Sequence, residues 1–294
     1  MLDIFTNDAF STANLTATVQ KLPFRPSLVT SLGLFESSGI TTTTAVVEEE
    51  EGKLRLIPSV PRGKAQQQGG GPASQNKSEK RKVRSFVVPH FPEDDSISAN
   101  DVQNLRGLGS EDQQEVAETL VNRRLQRLTQ QHELTREFLQ VNALMGAIIE
   151  PGDRETILLD LYTAFDVQQS EIGFDLENQS VSVKAKAEAV LLAIEAALGA
   201  DNFGTPIALC GQNFWSKLIA HPDMKGAFDR WQQGQFLRQD PRLPLDAFGI
   251  NWMRYRGGLV NMIPANEAYF IPTGVPGLLQ LNFAPAAFWE TVNT

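Results

Sequence analysis

Three histidines and one cysteine carry most of the reactive chemistry open to this 294-residue chain. His90 falls at the end of a strand pattern, His132 inside a helical pattern and His221 at a helix boundary. None has a carboxylate or second histidine at the spacing that a metal site or a general base needs. Cys210 closes the apolar stretch Ile207–Cys210, where a thiol serves as a small core residue and lacks the cationic setting of a reactive thiolate. Asp153, Glu155 and Asp160 suggest an acid pair, but Asp153 follows Pro151-Gly152 and reads as turn chemistry, and Glu155 as a solvated side chain. Gly69-Gly70-Gly71 is followed by no helix start, so it is a flexible tip and not a phosphate cradle. The Walker, dinucleotide, zincin and nucleophile-elbow patterns are all missing. No catalytic residue, metal ligand or cofactor is expected.

The remaining cluster is cationic: Lys77, Lys80, Arg81, Lys82 and Arg84. It admits two roles. As a nucleic-acid patch it would lack interleaved aromatics; otherwise it meets an acidic surface, such as Glu48–Glu51 on its own hairpin or on a neighbour. Arg123, Arg124 and Arg127 are expected to face carboxylates or water.

The elements that position these residues follow from pattern. Residues 1–40 are broken by Pro23, Pro26, Gly33 and Gly39 and read as an extended arm with no core of its own, needing another surface to lie on, such as another subunit. Thr41–Val47 is a β-branched run, Leu54 and Leu56 alternate with Lys53 and Arg55, and the chain returns as a strand through Lys80–Val88. Around the polar tip these make a long β-hairpin over 41–91. An isolated two-stranded hairpin is marginal in water, so it is predicted to project and find a partner.

A helix is predicted over about 110–149. Ser110 and Gln113 form a capping box, and Val121, Leu125, Leu128, Leu134, Phe138, Val141, Met145 and Ile148 recur at threes and fours. At 1.5 Å per residue it would be a spine of roughly 55 Å. Beyond it come an apolar strand pattern over Ile157–Phe165, a helix over Lys184–Leu198, a buried strand at Pro206–Cys210 and helical stretches near Gln212–Ala220 and Pro222–Trp231. A proline-bearing loop follows over Arg238–Ala247, then several short strands between Ile250 and Phe283. The class is α+β.

Composition limits the rest. Hydrophobic residues make up 41 % and charged residues 21 %, enough for a sizeable core. With 26 Lys+Arg against 35 Asp+Glu the net charge is −9, which disfavours general nucleic-acid coating. A single cysteine excludes a disulfide framework. No apolar run approaches a membrane span, and MLDIFTNDAF lacks the order of a signal peptide, so a soluble chain is expected.

The order of parts then becomes specific. Glu51-Gly52-Lys53-Leu54-Arg55-Leu56-Ile57-Pro58 with Pro61-Arg62-Gly63, and Lys82-Val83-Arg84-Ser85-Phe86-Val87-Val88-Pro89-His90 with Asp94-Asp95-Ser96-Ile97, look like the two limbs of an extended loop. With them go His132-Glu133-Leu134-Thr135-Arg136-Glu137-Phe138, Ala143-Leu144-Met145-Gly146, Ile271-Pro272-Thr273-Gly274-Val275-Pro276-Gly277, Ala284-Pro285-Ala286 and Glu290-Thr291-Val292-Asn293. In this order the chain resembles the major capsid proteins of tailed bacteriophages, in particular the lambda-like major capsid protein E family. Members commonly continue past the Glu-Thr-Val-Asn motif, whereas this sequence stops at Thr294.

That resemblance implies an HK97-like capsid fold: an N-terminal arm (1–40), an extended β-hairpin loop (41–91), a peripheral domain with the spine helix (92–182), an axial domain (183–258) and return strands of the peripheral domain (259–294). It implies a subunit that forms hexamers and pentamers of an icosahedral head around double-stranded DNA, assembled in the host bacterial cytoplasm. An encapsulin-like or gene-transfer-agent shell is the alternative, and an α/β enzyme a distant one. The partners implied are copies of the chain, scaffold, portal and decoration proteins, and weakly contacted DNA, with no membrane. Inter-subunit contacts would fall on Lys53, Arg55, Arg62, Lys80, Arg81, Lys82, Arg84 and Glu48, Glu49, Glu50, Glu51. The spine core would be Leu134, Phe138, Val141 and Met145, and an axial loop would carry Arg238, Asp240, Arg242 and Asp246.

Overall fold

A computed structural model describes residues 28–50, 81–98, 113–199, 201–226, 244–256 and 262–286. The chain divides into two compact units. The first takes its described residues from 28–34, 92–195 and 203–274, the second from 35–91, 196–202 and 275–286. The strand expected through Leu54 and Leu56, the tip at Gly69–Gly71 and most of the loop after Arg238 lie outside the described residues.

The first unit is built on α2 (Gln113–Leu144), which follows the short α1 (Leu28–Ser31). Its 32 residues span about 48 Å. The helix stops earlier than its periodicity suggests. Gly146 takes φ +97°, and the Tyr162 ring lies so close to it that a Cβ there would overlap the ring. Ile148, which fitted the helical stripe, therefore belongs to β4 (Ala147–Ile149). That strand pairs antiparallel with β5 (Ile157–Asp160) through a bulge. A second correction follows at once: Ile157–Phe165 is not one strand. Asp160 accepts the backbone N–H groups of Tyr162 and Thr163 and the Thr163 hydroxyl, capping the short helix α3 (Leu161–Phe165).

The same unit holds a four-stranded mixed sheet in the order β7-β8-β6-β9. β6 (Ile207–Cys210) is buried along its whole length because it is flanked on both sides, parallel to β8 (Ile250–Arg254) and antiparallel to β9 (Ala268–Ile271). Helices α4 (Val183–Leu198) and α5 (Gln212–Ala220) pack their apolar residues on it, with Val183, Ala187, Val190, Phe214, Trp215 and Leu218 in one core. Phe174, Phe214, Trp252 and Phe270 form its aromatic centre at centroid separations of 5.4–6.5 Å. The Trp252 Nε1–H donates to the Ala247 carbonyl at 3.0 Å, so the buried indole is satisfied.

Asp246 departs from its expected loop. It sits in β7 (Leu245–Ala247), opposite Asn251, because Phe248 and Gly249 both take positive φ (56° and 76°) and close a two-residue hairpin into β8. Residues 222–226 are helical, and the described part of the predicted Pro222–Trp231 helix ends there.

The second unit contains β1 (Glu36–Gly39), parallel to β10 (Gln280–Phe283), and β2 (Thr44–Glu50), antiparallel to β3 (Arg81–Val87). Glu36 accepts the Gly277 N–H at 3.3 Å, and the Ser38 hydroxyl donates to Asn282 at 2.6 Å, which fixes the β1–β10 register.

Gly211 precedes α5 where the backbone of Pro264 and Ala265 presses closest; a Cβ there would lie 2.1 Å from the Pro264 carbonyl oxygen. Gly211→Ala is predicted to lose about 2 kcal/mol or more, because backbone and not a pliable side chain must move. Denaturant unfolding checks this, a parental midpoint counting against it.

Candidate functional site

The β2–β3 ribbon has two unlike faces. Residues Ala45, Val47, Arg84 and Phe86 alternate inward on one face and are half-buried. The opposite face carries Val46, Val83 and Val87, which are 62 %, 63 % and 79 % exposed. Three β-branched apolar side chains thus stand in water on one side of a two-stranded sheet. Further along, the register sets Glu49 opposite Lys82 and Glu50 opposite Arg81, while Glu48 lies opposite Val83. Of the hairpin residues singled out from sequence, these five and Arg84 fall on the paired strands. Glu51, Lys53, Arg55, Arg62 and Lys80 lie outside the described residues, as do Arg238, Asp240 and Arg242 of the expected axial loop.

Most of the described side chains of helix α2 are half-buried, and the fully buried ones lie toward its C-terminal end. Val141 is 1 % exposed, whereas Leu134, Phe138 and Met145 are half-buried. Between them lies a residue that the sequence reading missed. Glu137 is 2 % exposed, and its Oε1 accepts the Val29 N–H at 3.1 Å and the Tyr255 hydroxyl at 3.2 Å. One turn on, Gln140 Oε1 accepts the Thr30 hydroxyl at 3.0 Å. These bonds tie α1 and the end of β8 to the helix, and Val29 is fully buried beside them. The signal was present in the stripe Leu134–Glu137–Phe138–Val141, where a carboxyl occupies an apolar i+3 position.

The other candidates resolve individually. Asp153 accepts the Glu155 and Thr156 N–H groups and the Thr156 hydroxyl, which hold its carboxyl below the usual range. Asp160 is lowered in the same way, first by the Thr163 hydroxyl. Both are turn and cap residues, not an acid pair. Cys210 is buried, and burial pushes its thiol up. His221 is buried at the end of α5 and accepts the Asp223 N–H at 3.3 Å, while His90 and His132 are exposed. Among the described residues no three of His, Cys, Asp and Glu gather as metal ligands would, and no helix is long and apolar enough to cross a membrane. Arg124 faces a carboxylate as expected: its Nη1 donates to Asp95 Oδ1 at 2.5 Å and to the Ser96 carbonyl at 2.6 Å. Lys217, in the last turn of α5, pairs with Glu177 at 2.7 Å.

The family described as phage major capsid protein E matches residues 11–294, and the chain belongs to that family, which is one of structural shell proteins and not of enzymes. It is 30 % identical to the major capsid protein of Pseudomonas phage KPP10 over 307 aligned positions, covering 97 % of this chain and 85 % of that one. It is 29 % identical over 227 positions to the major capsid protein of Salmonella phage Felix O1 (isolate Felix O1-VT1), covering 74 % of this chain and 58 % of that one.

Two predictions follow from the buried network. Glu137→Ala leaves the Val29 N–H without its acceptor and the Tyr255 hydroxyl with only the Met262 sulfur at 3.3 Å, and is expected to lower stability by about 2–4 kcal/mol. Val141→Asp is expected to do at least as much, and Leu134→Asp less, in the same denaturant series. The chain's three tyrosines are all shifted upward, each first by burial: Tyr162 then by Asp160, Tyr255 by Glu137 and Tyr269 by its hydrogen bond to Glu267. Because the folded state favours the neutral phenol, this stability is fully present below the usual tyrosine value near 10 and is lost as pH rises above it. Phenolate absorbance from Tyr255, the buried one of the three, read as the difference from Tyr255→Phe, is therefore predicted to appear together with loss of near-ultraviolet circular dichroism. Tyr255 phenolate in an intact fold at pH ~10 would contradict the burial.

Proposed function

We propose that this chain is the subunit of an icosahedral phage head with the HK97-type fold, forming hexamers and pentamers that enclose double-stranded DNA. The observation that carries the reading is the bare valine face of the β2–β3 ribbon. Two strands alone are marginal in water, and an apolar face on such a ribbon favours a site where another molecule covers it. In this reading that molecule is a neighbouring copy. The five-part division into arm 1–40, extended loop 41–91, peripheral domain 92–182, axial domain 183–258 and return strands 259–294 belongs to the same proposal.

Charge supports it further. A net charge of −9 leaves packaged DNA weakly held, so the genome slides during filling. Many moderate contacts repeated round a closed shell give collective stability, while each weak contact lets a misplaced subunit leave. The names of the two relatives favour a DNA-filled phage head over a compartment for protein cargo. Scaffold, portal and decoration proteins are the further partners this function requires, and assembly takes place in the host bacterial cytoplasm.

Electron microscopy of the purified chain tests the reading. Uniform closed shells, or rings of five and six subunits, are expected; a monomer under every assembly condition contradicts it. Replacing Val46, Val83 and Val87 together by threonine keeps the β-branched shape but removes about 1 kcal/mol of apolar contact or more per covered side chain. The folded subunit is expected to persist while shell yield collapses. Parental yield from the triple variant would exclude this face as the contact.

A further inference from the structure

The three exposed valines of the β2–β3 ribbon are placed with a symmetry of their own. Val46 stands opposite Ser85 in the register, and Val83 and Val87 lie two residues to either side of Ser85 on β3. All three share one face, because residues directly opposite each other, and residues two apart on a strand, point the same way. Turn a second ribbon end over end about the Val46–Ser85 pair, lay it face to face on the first, and Val46 falls on the partner's Val46. The same rotation sets Val83 on the partner's Val87 and Val87 on the partner's Val83. Each exposed valine of the face then meets another. A two-fold axis along the strands does worse. It sets Val46 on the partner's Ser85, Val87 on the partner's Thr44 and Val83 on the partner's Glu48, a carboxylate against apolar surface. In the end-over-end arrangement Glu48 falls instead on the partner's Thr44. The two copies of Glu48 then stand four positions apart, about 14 Å along the strands, which is beyond the screening length at physiological salt.

We infer that the valine face is an isologous contact: two copies of the chain close on each other through this same face, across a two-fold axis at the Val46–Ser85 pair. The inference rests on the shell function proposed above and names the surface that covers the ribbon. A contact of this kind is complete with two copies, so it joins one subunit to one other and does not propagate. Facing sheets pack about 10 Å apart, a gap that valine side chains from both sides fill. Three valines a side fall well short of the roughly 800 Å² per partner of a stable complex. The contact is therefore weak alone and takes effect where other contacts already hold the two copies together.

Cross-linking in assembled shells tests it, since Cys210 is buried and an introduced cysteine supplies the accessible thiol. Val46→Cys, Val83→Cys and the double variant Val83→Cys/Val87→Cys are made in the full chain, assembled, and treated with the short reagent ethanediyl bismethanethiosulfonate. Val46→Cys is expected to give covalent dimers, because its two thiols meet at the axis. Val83→Cys alone is expected to give several-fold less, its counterpart lying four positions away, about 14 Å along the strands. The double variant is expected to give dimers again and to stop there, since both links join the same two copies. It also tests the axis without altering Val46, should Val46→Cys fail to assemble. As much dimer from Val83→Cys as from Val46→Cys overturns the inference. So does a ladder of longer products from the double variant, which would mean head-to-tail contact. Shells that form normally but give no dimer from Val46→Cys or from the double variant overturn it and leave the shell function standing. A parent chain that forms no shell overturns the shell function and the inference with it.

Discussion

A sheet of two strands cannot cover its own faces. Each residue fixed in the β2–β3 ribbon gives up about 1–2 kcal/mol of backbone entropy, and a favourable cross-strand pair returns only about 0.2–1 kcal/mol. The ribbon has seven such pairs. On one face Ala45, Val47 and Phe86 are half-buried; on the other Val46, Val83 and Val87 are left to water. The second face therefore holds apolar area that the ribbon itself leaves unburied. The chain belongs to the phage major capsid protein E family, and in the reading proposed above a neighbouring copy supplies the cover.

The other unit obeys different rules. Around β6 the sheet is closed on both sides, two helices cover it, and four aromatic rings fill the centre, with the Trp252 indole N–H bonded to the Ala247 carbonyl. That core is complete within one chain. Helix α2 shows both characters along its length. Its C-terminal end is locked by Val141 and the Glu137 and Gln140 bonds, while the rest is exposed or half-buried.

What the sequence disclosed follows the range of the interactions involved. α4, α5 and β6 were legible because apolar period, a terminal glycine and a short all-apolar run are local signals. The hairpin was legible because two β-branched runs flank a polar, glycine-rich stretch. Errors arose where one residue overrode the period. Gly146 ended α2 before Ile148, Asp160 capped a helix inside an apolar run, and Phe248-Gly249 made a tight turn without the Asn-Gly signature. Asp246 passed from loop to strand for that last reason. Glu137 was the hardest to find, since the partners that explain it lie 108 and 118 residues away. For the exposed valines the sequence gives the alternation, but only the register shows that all three share one face.

The central claim is that a second copy covers that face, and one thiol tests it directly. The chain has a single cysteine, Cys210, which is buried and whose thiol is pushed up by that burial, so it reacts slowly. Val87→Cys therefore places one accessible thiol on the ribbon. Its rate of modification by a water-soluble maleimide, compared between unassembled subunits and closed particles, is predicted to fall by at least tenfold on assembly, about 1.4 kcal/mol of protection or more. Equal rates in the two states would mean that the valine face stays in water, and the account would be wrong.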